Sequence, residues 1–235
     1  MKNFLLLNIC ILCSWLYAAP SHAAFWYVDD LSSGSVNLSS SGTLQSSTEQ
    51  DLEGVIEGER YAYVQRTSAA GSVSVGVNVF PFPGYAVHSS LPNSIGVGGL
   101  HYGRNTDLNA DYDRNGMIFG FRLSEFSADE PAWTGTIRLT LYDGNNTEQI
   151  GKSISTFQHN PEWLHSEFNS INFANITRID LDWYGFTANG ADLAFNSFNT
   201  LNWLPEPSTT SMLMVAAALI FLLRRSRNST WISAR

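Results

Sequence analysis

Apolar and polar residues alternate with a period of two through the middle of this 235-residue chain. Val73, Val75, Val77 and Val79 fall on one side of a pleat, and Ser72, Ser74, Gly76 and Asn78 on the other. Met117, Phe119, Phe121 and Leu123 repeat the pattern, followed by Ile137, Leu139 and Leu141 and then by Ile179, Leu181 and Trp183. Each run predicts a strand with one buried face. Turn-forming clusters separate the runs: Ala69-Ala70-Gly71, Pro81-Phe82-Pro83-Gly84, Asn115-Gly116, Asp143-Gly144-Asn145-Asn146 and Ala188-Asn189-Gly190. Pro161 to His165 alone reads as a helical turn. In the Ser/Gly-rich stretch from Leu31 to Ser47, the positions of Val36, Leu38 and Leu44 predict irregular edge strands. Short strands at this spacing predict an all-β fold, an antiparallel β-sandwich.

The two ends break the alternation. Lys2, the apolar run Phe4 to Leu16 and the small residues of Ser21-His22-Ala23 make residues 1–23 a signal peptide, cut by signal peptidase between Ala23 and Ala24. At the other end Leu204-Pro205-Glu206-Pro207-Ser208-Thr209 precedes an apolar run, Met212 to Leu223, and then Arg224, Arg225 and Arg227. Both prolines fix φ, so the motif favours an extended conformation that a protease groove receives readily. A helix from Ser208 to Leu223 would rise roughly 24 Å against a hydrocarbon core of about 30 Å, a marginal span better suited to a temporary anchor. The arginines should stay cytoplasmic.

Residues 204–228 resemble the PEP-CTERM sorting signal of exported bacterial proteins. The resemblance implies an exosortase-type protease as partner, an inner-membrane-anchored precursor held by a short C-terminal transmembrane helix, and release to the cell surface or an exopolysaccharide matrix. The alternative is an ordinary tail anchor that is never cut. The tail 229–235 departs from the pattern, since such signals usually stop soon after the basic cluster.

The mature ectodomain, 24–203, is long enough for one domain with a full core. Cys10 and Cys13 both lie in the signal peptide, so no disulfide or thiol chemistry is expected after its removal. Eight basic residues in 24–203 face twenty acidic ones, which excludes nucleic acid as a partner. Several features of this region resemble the jelly-roll ectodomain of many PEP-CTERM proteins, itself similar to galactose-binding-like carbohydrate-binding modules. They are Val28-Asp29-Asp30-Leu31, Gly58-Glu59-Arg60-Tyr61, the Val/Ser strand, a buried Phe119/Phe121 strand and Gly190-Ala191-Asp192-Leu193-Ala194-Phe195-Asn196. Asn196 stands where the family often has an acid, which would weaken a calcium site.

Structural calcium is the one cofactor with candidate ligands. Asp111, Asp113 and Asn115, followed by Gly116, match the first half of a calcium loop, yet Arg122 occupies the place of the bidentate acid and the same residues make ordinary hairpin turns. Asp29, Asp30 and Asp192 form a second oxygen set if the first and last strands adjoin; otherwise one of them pairs with Arg60 or caps a loop. His159-Asn160-Pro161-Glu162-Trp163-Leu164-His165-Ser166-Glu167 lacks zinc spacing and reads as a surface loop. No nucleophile or metalloprotease motif occurs, so no enzyme is expected.

The aromatics Tyr61, Tyr63, Tyr102, Tyr112 and Tyr142 lie on strands or in loops. Tyr184, Trp163 and Trp133 are the candidates for stacking on sugar rings, with Trp183 assigned to the core. The expected function is a structural or adhesive role at the cell surface or in matrix. The alternative is a carbohydrate-binding module for extracellular polysaccharide. An ice-binding protein would need a flat Thr-rich array, and a glycoside hydrolase a cleft with two poised carboxylates.

Overall fold

The computed structural model describes residues 27–79, 84–156 and 160–202. Among them, fifteen strands form and every pairing is antiparallel. In chain order they are β1 (Tyr27–Asp29), β2 (Val36–Ser40), β3 (Gln45–Glu49), β4 (Arg60–Arg66), β5 (Val73–Asn78), β6 (Tyr85–Ser90), β7 (Gly96–Tyr102), β8 (Ile118–Ser124), β9 (Ser127–Ala128), β10 (Thr136–Tyr142), β11 (Thr147–Ser153), β12 (Glu162–Leu164), β13 (Arg178–Tyr184), β14 (Leu193–Phe195) and β15 (Ser197–Asn202). The helical segments among these residues are short 3-10 turns.

One sheet has six strands in the order β11-β10-β13-β7-β4-β3. The other two run β1-β15-β8-β12 and β2-β5-β6-β14-β9. Only Asn196 separates β14 from β15, and only Glu125 and Phe126 separate β8 from β9, so two strands continue from one smaller sheet into the other. Both smaller sheets pack on the inner face of the six-stranded one: Trp183 meets Phe195 at 6.2 Å and Tyr102 meets Phe198 at 6.1 Å between ring centres. The result is an open β-sandwich.

The alternating runs account for the core. Ile137, Leu139, Leu141, Ile179, Leu181 and Trp183 are fully buried, as are Val75 and Val77, with Val73 nearly so. The Asp143-Gly144-Asn145-Asn146 cluster closes the β10–β11 hairpin. Gly144 has φ +85°, and the Asp143 carboxylate accepts the backbone N–H groups of Asn145 and Asn146.

Two expectations are corrected. Met117 is exposed and Phe119 half-buried, because β8 begins one residue later with Ile118 inward, at the irregularity where Ile118 meets Asn202 of β15. Pro161 to His165 is not a helical turn. Its centre is β12, whose Trp163 pairs with Phe121 of β8, and a 3-10 turn follows at His165–Glu167. The edge strands expected between Leu31 and Ser47 are present as β2 and the start of β3.

β1 and β15 adjoin, with Tyr27 opposite Asn199 and Asp29 opposite Phe198. Asp29 is fully buried and accepts from Arg60 NH1 at 2.9 Å, Tyr102 OH at 3.0 Å and the Leu31 N–H at 2.8 Å. Arg60, equally buried, also bonds Glu49 and the Ser33 carbonyl. This network ties β1 to β4 and β7 across the two layers.

Candidate functional site

Because side chains alternate along a strand, the residues between the core positions of the six-stranded sheet share its outer face. On β13 these are Arg178, Asp180, Asp182 and Tyr184. The register sets Asp182 beside Arg138 of β10 and Gly99 of β7, and Asp180 beside Thr140 and His101. His101 in turn lies beside Tyr61 of β4, and Gly99 beside Tyr63. Four strands thus converge on one patch.

The patch is tightly bonded. Asp182 Oδ1 accepts from Tyr63 OH at 2.9 Å and meets His101 Nε2 at 2.8 Å, while its Oδ2 accepts from Arg138 NH2 at 2.8 Å. Asp180 Oδ2 accepts from Tyr142 OH at 3.0 Å and Arg178 NH2 at 2.7 Å, and Oδ1 accepts from Arg178 Nε at 2.8 Å. His101 Nδ1 stands 3.5 Å from Asp180 Oδ1, too long for a good hydrogen bond. Burial raises the Asp182 carboxyl, but His101, Arg138 and Tyr63 outweigh it and hold it below its ordinary value. Burial and the neighbouring Asp182 push the Tyr63 hydroxyl far up, so it stays a donor.

Rings and guanidinium planes line the same face. Tyr61, His101 and Tyr63 form a packed row with centres 5.6 Å and 5.2 Å apart. Arg104 lies 3.7 Å over Tyr61, Arg138 4.9 Å over Tyr184 and Arg178 4.9 Å over Tyr142. Gly99 is the floor: a Cβ there would approach the Leu181 carbonyl and Tyr63 Cε1 to 2.7 Å and Asp182 Oδ1 to 2.8 Å.

The candidates from sequence are distributed differently. Tyr184 is half-buried on this face. Trp133 is exposed, in the 3-10 turn Glu130–Thr134 that leads into β10. Trp163 is corrected from surface loop to core. It is fully buried, and its indole N–H donates to the Ile150 carbonyl at 3.1 Å, so it presents no ring to a ligand. Tyr102 and Tyr112 are also fully buried, whereas Trp183 is in the core as expected.

The oxygen sets are likewise separated. Asp29 is consumed by Arg60, the alternative weighed for it, and sits in β1. Asp192 precedes β14 in a different sheet and accepts the Ser90 N–H at 3.0 Å. Asp30 accepts the Ser32 N–H. Asp111 Oδ1 accepts the N–H groups of Asp113 and Arg114, each at 2.9 Å, closing the turn that contains Asn115 and Gly116. Among the described residues no group of three or more His, Cys, Asp or Glu side chains is placed to hold a metal ion.

The residues of the sorting and cleavage expectations, Ser21, Ala23, Ala24, Pro205, Glu206, Pro207, Arg224, Arg225 and Arg227, lie outside the described residues, as does His159. Among the described residues no helix is long and apolar enough to cross a membrane.

Sequence pointed to Tyr184 but missed His101, Asp180, Asp182, Arg138, Arg178, Tyr61 and Tyr63 as a group. The available signal was the charge carried on the polar phase of Arg178-Ile179-Asp180-Leu181-Asp182-Trp183-Tyr184.

No protein-family model matches the chain, and no curated protein matches it. Solved structures similar to the chain include three carbohydrate-binding modules. The family 11 carbohydrate-binding module from Clostridium thermocellum, in complex with a β-1,3-1,4-mixed-linked tetrasaccharide, shares 14% identity over 68% of this chain and 98% of its own, with a TM-score of 0.38. TmCBM61 in complex with β-1,4-galactotriose shares 14% identity over 60% of this chain and 88% of its own, with a TM-score of 0.34. The family 11 module of the cellulosomal cellulase Lic26A-Cel5E of Clostridium thermocellum shares 10% identity over 77% of this chain and 95% of its own, with a TM-score of 0.30.

Proposed function

We propose that residues 27–202 form a non-catalytic glycan-binding module and that the outer face of the six-stranded sheet is its binding surface. One observation carries this reading: Tyr61, Tyr63, Tyr142 and Tyr184 share that face with a pre-bonded array of carboxylate, guanidinium and imidazole groups. Sugar rings offer apolar faces for stacking and hydroxyls for hydrogen bonds, and a face whose polar groups already hold one another loses little freedom on binding. The adjacency of β1 and β15 supports the jelly-roll reading of the sandwich.

Hydrolysis is the weaker reading. Asp180 and Asp182 lie two residues apart on one strand, about 7 Å along it, within the range of glycosidase pairs. Yet both are acceptors for Arg and Tyr donors, and Asp182 is held below its ordinary value, the opposite of what a general acid requires. We further infer that the protein is exported and sorted through Pro205-Glu206-Pro207 and the Arg224/Arg225/Arg227 stop, on the strength of the sequence pattern. The module would then serve attachment to surface or matrix polysaccharide.

The test is retention of the full chain on immobilised polysaccharides. Tyr184→Ala is expected to weaken retention roughly five- to a hundredfold, the worth of one well-buried apolar contact. Unchanged retention would remove the sheet face as the site, and turnover of a glycan would overturn the non-catalytic reading. For sorting, replacing Pro205 and Glu206 by alanine in the native host should leave a larger, membrane-retained form, and equal mature masses would reject it.

A further inference from the structure

The proposed face is far richer in cations, relative to acids, than the domain as a whole. Residues 24–203 hold eight basic side chains against twenty acidic ones. On the outward phase of the six strands, however, Asp180 and Asp182 are the only acids, since the outward positions of β3, β4, β7, β10 and β11 are Tyr, Ser, Thr, Gln, Gly, Val, His or Arg. Arg138 and Arg178 project from the same phase, and Arg104 folds back over Tyr61 from the loop after β7. Three of the eight cations therefore gather against the two outward acids of the strands and the buried Glu59, which precedes β4 and accepts the Asn105 N–H.

Depth sharpens the difference. The Asp180 and Asp182 side chains are 6% and 7% exposed, whereas those of Arg138 and Arg178 are 33% and 32% exposed. The acids form a floor whose lone pairs are already taken, and the guanidiniums form the layer that a ligand meets first. Donor capacity remains in that layer. Arg138 Nε is buried without a hydrogen-bond partner among the described residues, and Arg178 engages Asp180 through Nε and NH2 only. Arg104 is exposed and makes no ion pair among the described residues. Each guanidinium carbon lies over a tyrosine ring, a contact that restricts the side chain and reduces the freedom lost on binding an anion.

We propose that the glycan bound at this face is acidic, with uronate carboxylates seated against Arg104, Arg138 and Arg178. Guanidinium and carboxylate match as paired donors and acceptors, and charge assistance makes such bonds roughly twice as strong as neutral ones. Stacking by the half-buried Tyr63, Tyr142 and Tyr184 would hold the sugar ring over the buried Tyr61 and His101, and the arginines would select for its acid group. This assignment rests on the glycan-binding reading above and names its substrate class.

The experiment compares retention of the full chain on alginate, polygalacturonate and hyaluronate with retention on the same polymers after reduction of their carboxyl groups to alcohols. The acidic form of at least one polymer is expected to bind roughly tenfold or more tightly than its reduced form, with the difference shrinking as ionic strength rises. Arg104→Gln, which disturbs no ion pair, should lose most of that preference while leaving the melting temperature unchanged. Equal binding of acidic and reduced polymers would overturn the uronate assignment and leave glycan binding standing. Retention of no polymer in either form would overturn both. Dextran sulfate bound more tightly than every uronate polymer would overturn the choice of carboxylate.

Discussion

His88 gives the domain a specific vulnerability to acid. It points inward from β6, stacked at 5.2 Å on Phe186 and edge-on to Trp183 at 6.2 Å. Its Nδ1 has no partner among the described residues. Burial pushes its pKa down from 6.5 to about 4. In the unfolded chain the imidazole takes a proton as the pH falls through 6.5, but the folded form refuses it until about pH 4. Over that window the unfolded state binds more protons, so stability is complete above pH 6.5 and declines on acidification. A difference of about 2.5 units at 1.36 kcal/mol each makes the loss about 3 kcal/mol. Urea denaturation of the full chain at a series of pH values measures it directly. His88→Phe keeps the ring stack and removes the titration, so its stability should fall by about 3 kcal/mol less than wild type over the same interval. If the two profiles run parallel between pH 6.5 and 4, the imidazole is not excluded from protonation by the fold and the reasoning fails.

Three further outcomes are expected. Arg60→Met should cost about 3–5 kcal/mol by leaving the buried Asp29 uncompensated, and the double variant Asp29→Leu/Arg60→Met should recover a large part of that in the same denaturation assay. Equal loss in both would show that the pair itself is stabilising. Gly99→Ala should displace Tyr63 and Asp182 and abolish glycan retention, with about 1–3 kcal/mol of destabilisation by calorimetry. Melting temperatures in calcium and in chelator should coincide, because Asp111 is engaged by backbone N–H groups and Asp29 by Arg60; a rise in calcium would show a metal site these contacts do not reveal.

The strands were legible where alternation was strict. Ile137/Leu139/Leu141 and Ile179/Leu181/Trp183 have charged or hydroxylated residues between them, so only one register buries the apolar set. That one of Asp29, Asp30 and Asp192 pairs with Arg60 was an open reading of the sequence; which one does so follows only from the burial of Asp29 in β1. The proposed binding face was less legible. Tyr63 and Asp182 are 119 residues apart and His101 and Asp182 are 81 apart, and only the sheet order brings them together. Trp163 misled because the polar residues around it resemble a loop, whereas pairing with β8 at the sheet edge turns its ring inward.

The position of β15 also determines how the domain bears load. It is flanked by β1 on one side and β8 on the other, and Asn202 ends it opposite Ile118. Consider a glycan holding the outer face of the six-stranded sheet while tension is applied to the chain beyond Asn202. The load then enters at the end of β15, and the rungs to β8 on one flank and to β1 on the other share it. Such a strand resists extraction as a bolt resists being drawn through two plates.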